Sequence, residues 1–147
     1  MYKSIVVGTD GSETAGEAVR TAAELARLCG AELHVVSAYR VLTDLALAGS
    51  AAAAVPVPVW VADEIRAQVE AMLEALGDSI DGQGVQCRTH ARPQSAAEAI
   101  IQVAESEHAD LIVVGSRGMQ GARRLLGSVP NAVTHHAPCD VLVVHTC

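Results

Sequence analysis

Short apolar runs alternate with amphipathic segments along the whole chain. Five runs that are rich in β-branched residues predict strands, at Ser4–Val7, Leu33–Ala38, Val85–Ala91, Leu111–Val114 and Val141–Val144. The runs near the ends and the middle of the chain are continuous rather than alternating. Continuous runs are typical of parallel strands that are buried on both faces.

Between the runs, apolar residues recur at the spacing of an α-helix. This spacing predicts four helices, at Ser12–Cys29, Val61–Leu76, Ser95–Ser106 and Ser128–His136. We expect Ser12 and Ser128 to cap the first and last helices at their N-termini. Gly30 and Gly77 are expected to end the first two helices. Because strands and helices alternate, the pattern predicts an α/β fold, a three-layer open sandwich with a parallel sheet and helices on both faces.

Length and composition change this picture little. A chain of 147 residues is expected to form one domain over residues 1–147. Its net charge of −7 argues against a nucleic-acid binder, which needs a basic face. The four cysteines, Cys29, Cys87, Cys139 and Cys147, show no metal-binding spacing and are expected to be unpaired thiols. The histidines are scattered, and the adjacent pair His135 and His136 does not share a helix face, so no metal site is predicted.

One long stretch shows neither the apolar run of a strand nor the spacing of an amphipathic helix. The segment Val41–Val59 is expected to be an irregular connection, which is long for a compact domain and therefore either functional or mobile. It overlaps Leu45–Ala62, which is uncharged but is interrupted by glycine and proline, so we expect no membrane span. The N-terminal residues do not resemble a signal peptide, and a cytoplasmic location is expected.

The most distinctive chemistry follows the fourth predicted strand. Gly115, Gly118 and Gly127 allow close approach of the backbone to a ligand, and the last helix begins directly afterwards. Open amides and the positive end of a helix dipole form an anion site. Three arginines, Arg117, Arg123 and Arg124, add positive charge. The alternative is a glycine-rich turn with solvated arginines.

A second polar group follows the first predicted strand. Ligands of open parallel sheets bind at the carboxyl ends of the strands. Asp10 lies at such an end, where its carboxylate would accept hydrogen bonds from a ribose or an exocyclic amine. The alternative is that Asp10 only caps the first helix.

Together these stretches resemble the universal stress protein family. The resemblance rests on the opening "IVVGTDGSETAGEAV", the middle "ADLIVVGSRG" and the close "LLGSVPNAVTHHAPCDVLVV". It implies a five-stranded parallel sheet in the order 3-2-1-4-5 and a homodimer through the last strand, Val141–Val144. It also implies a nucleotide site that binds ATP, with Mg²⁺ carried by the phosphates.

The resemblance assigns roles residue by residue. It implies that Thr9 and Asp10 lie near the adenosine, and that Ala38, with Ser37 and Tyr39, lines the base. The glycine pattern Gly-x₂-Gly-x₉-Gly-Ser/Thr implies phosphate contacts at Gly115, Gly118, Gly127, Ser128 and Val129. Here eight residues, Met119–Leu126, stand where the family pattern has nine. Pro130 also lacks a backbone donor.

Several functions follow as expectations. The first is a cytoplasmic stress or signalling protein that binds ATP and works through binding rather than turnover. AMP or cyclic AMP is an alternative nucleotide, since a shortened loop favours fewer phosphates. Another reading is a dimeric interaction module that binds no nucleotide, and a further one is a slow ATPase. No nucleic-acid or membrane partner is expected.

Overall fold

The computed structural model describes residues 1–40, 58–117 and 127–146. Its strands are β1 (Ser4–Gly8), β2 (Glu32–Ala38), β3 (Cys87–Arg92), β4 (Leu111–Gly115) and β5 (Asp140–Val144). Its helices are α1 (Glu13–Cys29), α2 (Val59–Asp81), α3 (Ala96–Ser106) and α4 (Ser128–His136). Three predicted site residues and most of one predicted segment lie outside the described residues: Gly118, Arg123, Arg124 and Val41–Val59.

The strands form one parallel sheet in the order β3-β2-β1-β4-β5. This arrangement confirms the predicted fold class and strand order. The order reverses at β1, because β2 and β4 lie on either side of it. A crevice therefore opens at the carboxyl ends of β1, β2 and β4, where open α/β sheets bind their ligands.

Each face of the sheet carries two helices and its own core. On one face, α1 and α2 pack on Ile5, Val7 and Leu33, and on the other, α3 and α4 pack on Val6 and Ile112. Successive residues of a strand point to opposite faces, so the continuous apolar runs of the inner strands supply both cores. The second of these cores holds α3 and α4 together on one face of the sheet.

The local rules for helix ends succeed at α1 and fail at α2. Ser12 caps α1 by accepting the amide of Ala15 at 3.2 Å, and Gly30 ends it in the left-handed region with φ 66°. The expectation that Gly77 ends the next helix is wrong, because α2 continues to Asp81. Gly77 is buried instead, and a Cβ there would lie 3.2 Å from the Thr89 side chain. The glycine thus allows β3 to pack close to the helix.

The cysteines behave as the sequence predicts in the part of the chain that is described. Cys29, Cys87 and Cys139 are free thiols, and Cys147 lies outside the described residues. Burial, together with the smaller effect of the nearby Asp81 carboxylate, raises the pKa of Cys87 to about 11. This thiol therefore stays protonated and unreactive at neutral pH.

Among the described residues, no helix is both long enough and apolar enough to cross a bilayer.

Candidate functional site

The end of β1 forms a tight polar turn. The Thr9 amide donates to the Val36 carbonyl at 2.9 Å, which continues the pairing of β1 with β2. Asp10 Oδ1 then accepts the amide of Ser12 at 2.9 Å, and the Asp10 side chain is exposed. Asp10 therefore supports the entry to α1, while Ser12 is the residue that caps the helix. The carboxylate nevertheless lies at the strand end where a ligand would be expected.

The end of β4 is joined tightly to the end of β5. Thr146 is fully buried and links the two: its amide donates to Ser116 Oγ at 3.1 Å, and its Oγ1 accepts the Arg117 amide at 3.3 Å. A Cβ on Gly115 would lie 3.2 Å from Thr146 Cγ2. The neighbour that requires a glycine at position 115 is thus a threonine side chain. Sequence reasoning missed Thr146, because it lies 30 residues or so away along the chain and follows the last predicted strand.

The start of α4 differs from the expectation in one detail. Ser128 was expected as the N-cap, but Gly127 holds that position and Ser128 is the first helical residue. The Gly127 amide donates to the Ser116 carbonyl at 3.2 Å, which fixes the cap against the end of β4. A glycine has no side chain with which to accept the first amides of the helix, so α4 has no side-chain cap.

The first turn of α4 therefore presents two open donors. Pro130, at the third helical position, has no N–H, and the Asn131 amide already bonds to the Gly127 carbonyl at 3.1 Å. The amides of Ser128 and Val129 remain, and the described part of the chain offers them no acceptor. Two adjacent donors at the positive end of a helix dipole suit an anionic oxygen.

A cavity of about 440 Å³ lies next to these donors. Three predicted site residues, Ala38, Ser128 and Val129, line it. Five other predicted site residues lie at the ends of β1 and β4 or cap α4, but they do not line the cavity: Thr9, Asp10, Gly115, Arg117 and Gly127. Sequence reasoning missed the other lining residues, which are Arg40, Gln94, Ser95, Ala96, Ala97 and Ala132.

Four of these six residues, Gln94 to Ala97, lie at the start of α3, a position that the sequence does signal. Ser95 caps α3 by accepting the Glu98 amide at 3.4 Å, and its neighbours form the first turn of that helix. The segment follows β3, so it stands at a strand end like the other candidate stretches. The predicted helix at Ser95–Ser106, combined with the rule that ligands bind at strand ends, would have placed Ser95 near the site.

Gln94 adds a polar atom that lacks a partner. Its Oε1 atom is buried and accepts no hydrogen bond in the described residues. A buried acceptor without a partner loses the solvation that it had in water, and this costs about 1–3 kcal/mol. Because Gln94 lines the cavity, a rotation of its amide that turned Oε1 toward a ligand N–H group would remove that cost.

The lining of the cavity is positively charged in one part and apolar in another. The starts of α3 and α4 and the Arg40 side chain give it positive character, and the alanines give it apolar walls. The described lining contains no carboxylate, imidazole or thiol. The arrangement is suited to holding a ligand that is part anion and part flat apolar ring.

Comparison with known proteins agrees with the fold. The model of the universal stress protein family matches residues 1–145. Universal stress protein YxiE of Bacillus subtilis is 34% identical over 151 aligned positions, which span 98% of this chain and 99% of YxiE.

Two similar solved structures contain an adenine nucleotide. A universal stress protein in complex with cAMP is 29% identical, with a TM-score of 0.72 and coverage of 98% of this chain and 97% of that one. The universal stress protein of Archaeoglobus fulgidus in complex with dAMP is 26% identical, with a TM-score of 0.69 and coverage of 97% of both chains. On the family match and the near-complete alignment with YxiE, this chain belongs to the universal stress protein family.

Proposed function

We propose that this protein binds an adenine nucleotide in the cavity between β2, α3 and α4, and that it acts in the cytoplasm as a stress-response or signalling protein. One observation carries the proposal: α3 and α4 both begin at the cavity, and α4 begins without a side-chain cap. A phosphoryl group there accepts hydrogen bonds from the amides of Ser128 and Val129.

The base and the sugar occupy the rest of the cavity in this proposal. Ala38 forms an apolar wall for the base, and Gln94 Oε1 accepts a hydrogen bond from the exocyclic amine of adenine. A guanine has a carbonyl at that position and would leave the buried oxygen without a donor. Asp10 does not line the cavity, so in this proposal its carboxylate accepts hydrogen bonds from the ribose hydroxyls where the sugar extends toward the end of β1.

The comparisons support the class of ligand. Two family members of similar fold are described in complex with cAMP and with dAMP, which share an adenine and a single phosphate. ATP, with Mg²⁺ on its phosphates, is the ligand that the family resemblance implies. AMP and cyclic AMP are the alternatives, because the two open amides of α4 suffice for one phosphoryl group.

The proposed role is binding rather than catalysis. Hydrolysis needs a group that activates water, and the described lining of the cavity contains no residue of the usual types for that role. Nucleotide binding would instead change the conformation or the partners of the protein.

Two measurements test the proposal. Denaturing the freshly purified protein and identifying the released small molecules by mass spectrometry would reveal a co-purified adenine nucleotide. Calorimetric titration with ATP, ADP, AMP and cyclic AMP would then rank the ligands.

We expect Ser128→Glu to weaken the affinity for the tightest-binding nucleotide by about tenfold or more, because the new carboxylate faces the phosphate.

The matched control is Thr134→Glu, which adds the same charge to an exposed position farther along α4. It should leave the affinity nearly unchanged, since charge is screened in solvent. If no adenine nucleotide binds the folded wild-type protein at millimolar concentration, the interaction module without a nucleotide is the better description. Phosphate release from ATP that Ser128→Glu abolishes would instead favour the slow ATPase.

We also propose that the protein forms a homodimer through β5. This strand pairs only with β4 in the described sheet, so its outer edge is open, and Leu142 on it is 37% exposed. An open apolar edge is a liability that pairing with a second copy removes. Light scattering should give a dimer for the wild type and a monomer for Leu142→Lys, whereas a wild-type monomer at micromolar concentration would contradict the proposal.

A further inference from the structure

Two histidines that are far apart in the sequence meet at one margin of the sheet. His34 lies on β2 and His90 on β3, and the strand register places both on the face that carries α3. His34 Nδ1 lies 3.0 Å from His90 Nε2, and the ring centroids are 5.3 Å apart. His34 is buried, while His90 is half-buried and lies on the edge strand, so the pair is reached from the edge of the sheet.

A carboxylate completes the cluster from a third element. Glu107 follows the last residue of α3 and forms its C-cap. Its backbone carbonyl accepts a hydrogen bond from Ser4 Oγ at 3.3 Å, which ties this end of α3 to the start of β1. One ligand atom from each of His34, His90 and Glu107 lies within 4.8 Å of the others.

The two histidines can direct ring nitrogens toward one point. Their facing nitrogens, His34 Nδ1 and His90 Nε2, lie 3.0 Å apart. A neutral imidazole offers one lone pair, and the hydrogen bond of the pair uses only one N–H. If the donor ring moves its proton to its other nitrogen, both facing nitrogens present lone pairs and neither ring changes its charge.

A second carboxylate stands behind the buried histidine. Glu32 Oε2 lies 3.8 Å from His34 Nε2, on the side of the ring away from His90. In metal sites the remote nitrogen of a ligating histidine typically donates to a carboxylate, which fixes the tautomer and the ring orientation. Glu32 is itself held by Arg88, whose Nε lies 2.5 Å from Glu32 Oε1.

We propose that His34, His90 and Glu107 form a site for a divalent transition-metal ion of the zinc type. Two imidazoles and one carboxylate are ligands that Zn²⁺ accepts, and a fourth position remains for water. A tetrahedral Zn²⁺ holds its ligand atoms roughly 3.3 Å apart, so small side-chain rotations bring this cluster onto an ion. The site is separate from the nucleotide cavity, because His34 precedes Ala38 by four residues of extended chain, or about 13 Å.

The experiment uses Zn²⁺ and Co²⁺ alone, without nucleotide, on the full chain. We expect one equivalent of Zn²⁺ to bind in competition with a chromophoric chelator and to raise the melting temperature. Co²⁺ should give the visible absorption of a tetrahedral ion and no thiolate charge-transfer band. His90→Gln and the isosteric Glu107→Gln should each weaken binding by at least about tenfold, as loss of a ligand exceeds the usual effect of an outer partner.

The control variant is His135→Gln with His136→Gln, which removes the exposed adjacent histidines of α4. It should retain full Zn²⁺ affinity. Circular dichroism and the melting temperature without metal establish that His90→Gln and Glu107→Gln are folded. Wild-type affinity in both folded ligand variants, a Co²⁺ spectrum with thiolate bands, or no binding at micromolar Zn²⁺ would each overturn the proposal.

Discussion

The starts of α3 and α4 face the same cavity, but only α3 has a side chain that caps its first turn. At α3, Ser95 accepts the Glu98 amide with its own hydroxyl, as Ser12 does for Ala15 at the start of α1. At α4, Gly127 has no side chain to offer, and no side chain caps the helix. In α1 and α3 a serine hydroxyl thus holds the third helical amide, whereas in α4 that position is Pro130, which has no N–H. The helix α2 also begins without a side-chain cap, but it does not line the cavity.

The missing side-chain cap of α4 shows where backbone amides are free to bind a ligand. A capping side chain typically stabilises a helix by about 1 kcal/mol, and a glycine at the same position gives up some of that. In α4 the amides of Ser128 and Val129 remain open beside a cavity, so the phosphate of the proposed ligand would supply the cap. The same glycine that weakens the isolated helix therefore strengthens the proposed site.

The largest expected effect comes from giving α4 the cap that it lacks. Gly127 has φ −56° and ψ 164°, which any residue adopts, so Gly127→Asp is tolerated by the backbone. Its carboxylate would accept the Val129 amide and repel phosphate. We expect nucleotide affinity to fall by about 2 kcal/mol, or roughly thirtyfold, while the free energy of unfolding rises by about 0.5 kcal/mol.

Calorimetry and urea unfolding measure the two quantities on the same protein. Gly127→Asn is the matched control, because it caps the helix without a charge and should give a smaller loss of affinity. Unchanged affinity in Gly127→Asp would mean that the phosphate does not bind at this helix start.

The converse change removes an existing cap. Ser12→Ala should lower the free energy of unfolding by about 1 kcal/mol, because the Ala15 amide loses its acceptor. Nucleotide affinity should stay within a factor of about two, since Ser12 does not line the cavity. Urea unfolding and calorimetry check this, and a large loss of affinity would show that the start of α1 also holds the ligand.

A smaller effect is expected from restoring a missing donor. Pro130→Ala adds an N–H at the third position of α4, where proline provides none. If that amide reaches the phosphate, affinity should increase by about 1 kcal/mol, or about fivefold. Because Pro130 is buried, the melting temperature of the free variant is the control for repacking. An unaltered affinity would limit the contacts to Ser128 and Val129.

The sequence predicts the elements well where local rules decide them. The apolar runs of β1 and β4 and the capping residues Ser12 and Gly30 are local signals, and the structure agrees with them. The strand order was implied by the family resemblance rather than by periodicity. This order places the ends of β1 and β4, and with them Asp10 and Gly115, beside the same crevice.

The remaining features depend on contacts that a linear pattern does not contain. Gly77 looks like a helix end, but its role is set by Thr89 on the neighbouring strand. Gln94 has an unpartnered buried oxygen only because the fold encloses it. His34 and His90 become neighbours only through the pairing of β2 with β3. Such positions require the tertiary structure.

The most direct test of the account is to watch the two open amides while a nucleotide binds. In a titration with AMP and then ATP followed by ¹⁵N–¹H NMR, the Ser128 and Val129 amide protons should show the largest downfield shifts, as expected for hydrogen bonds to phosphate oxygens. The Ala15 and Glu98 amides, which serine side chains already hold, should barely move. Binding that leaves the Ser128 and Val129 resonances in place would contradict the account.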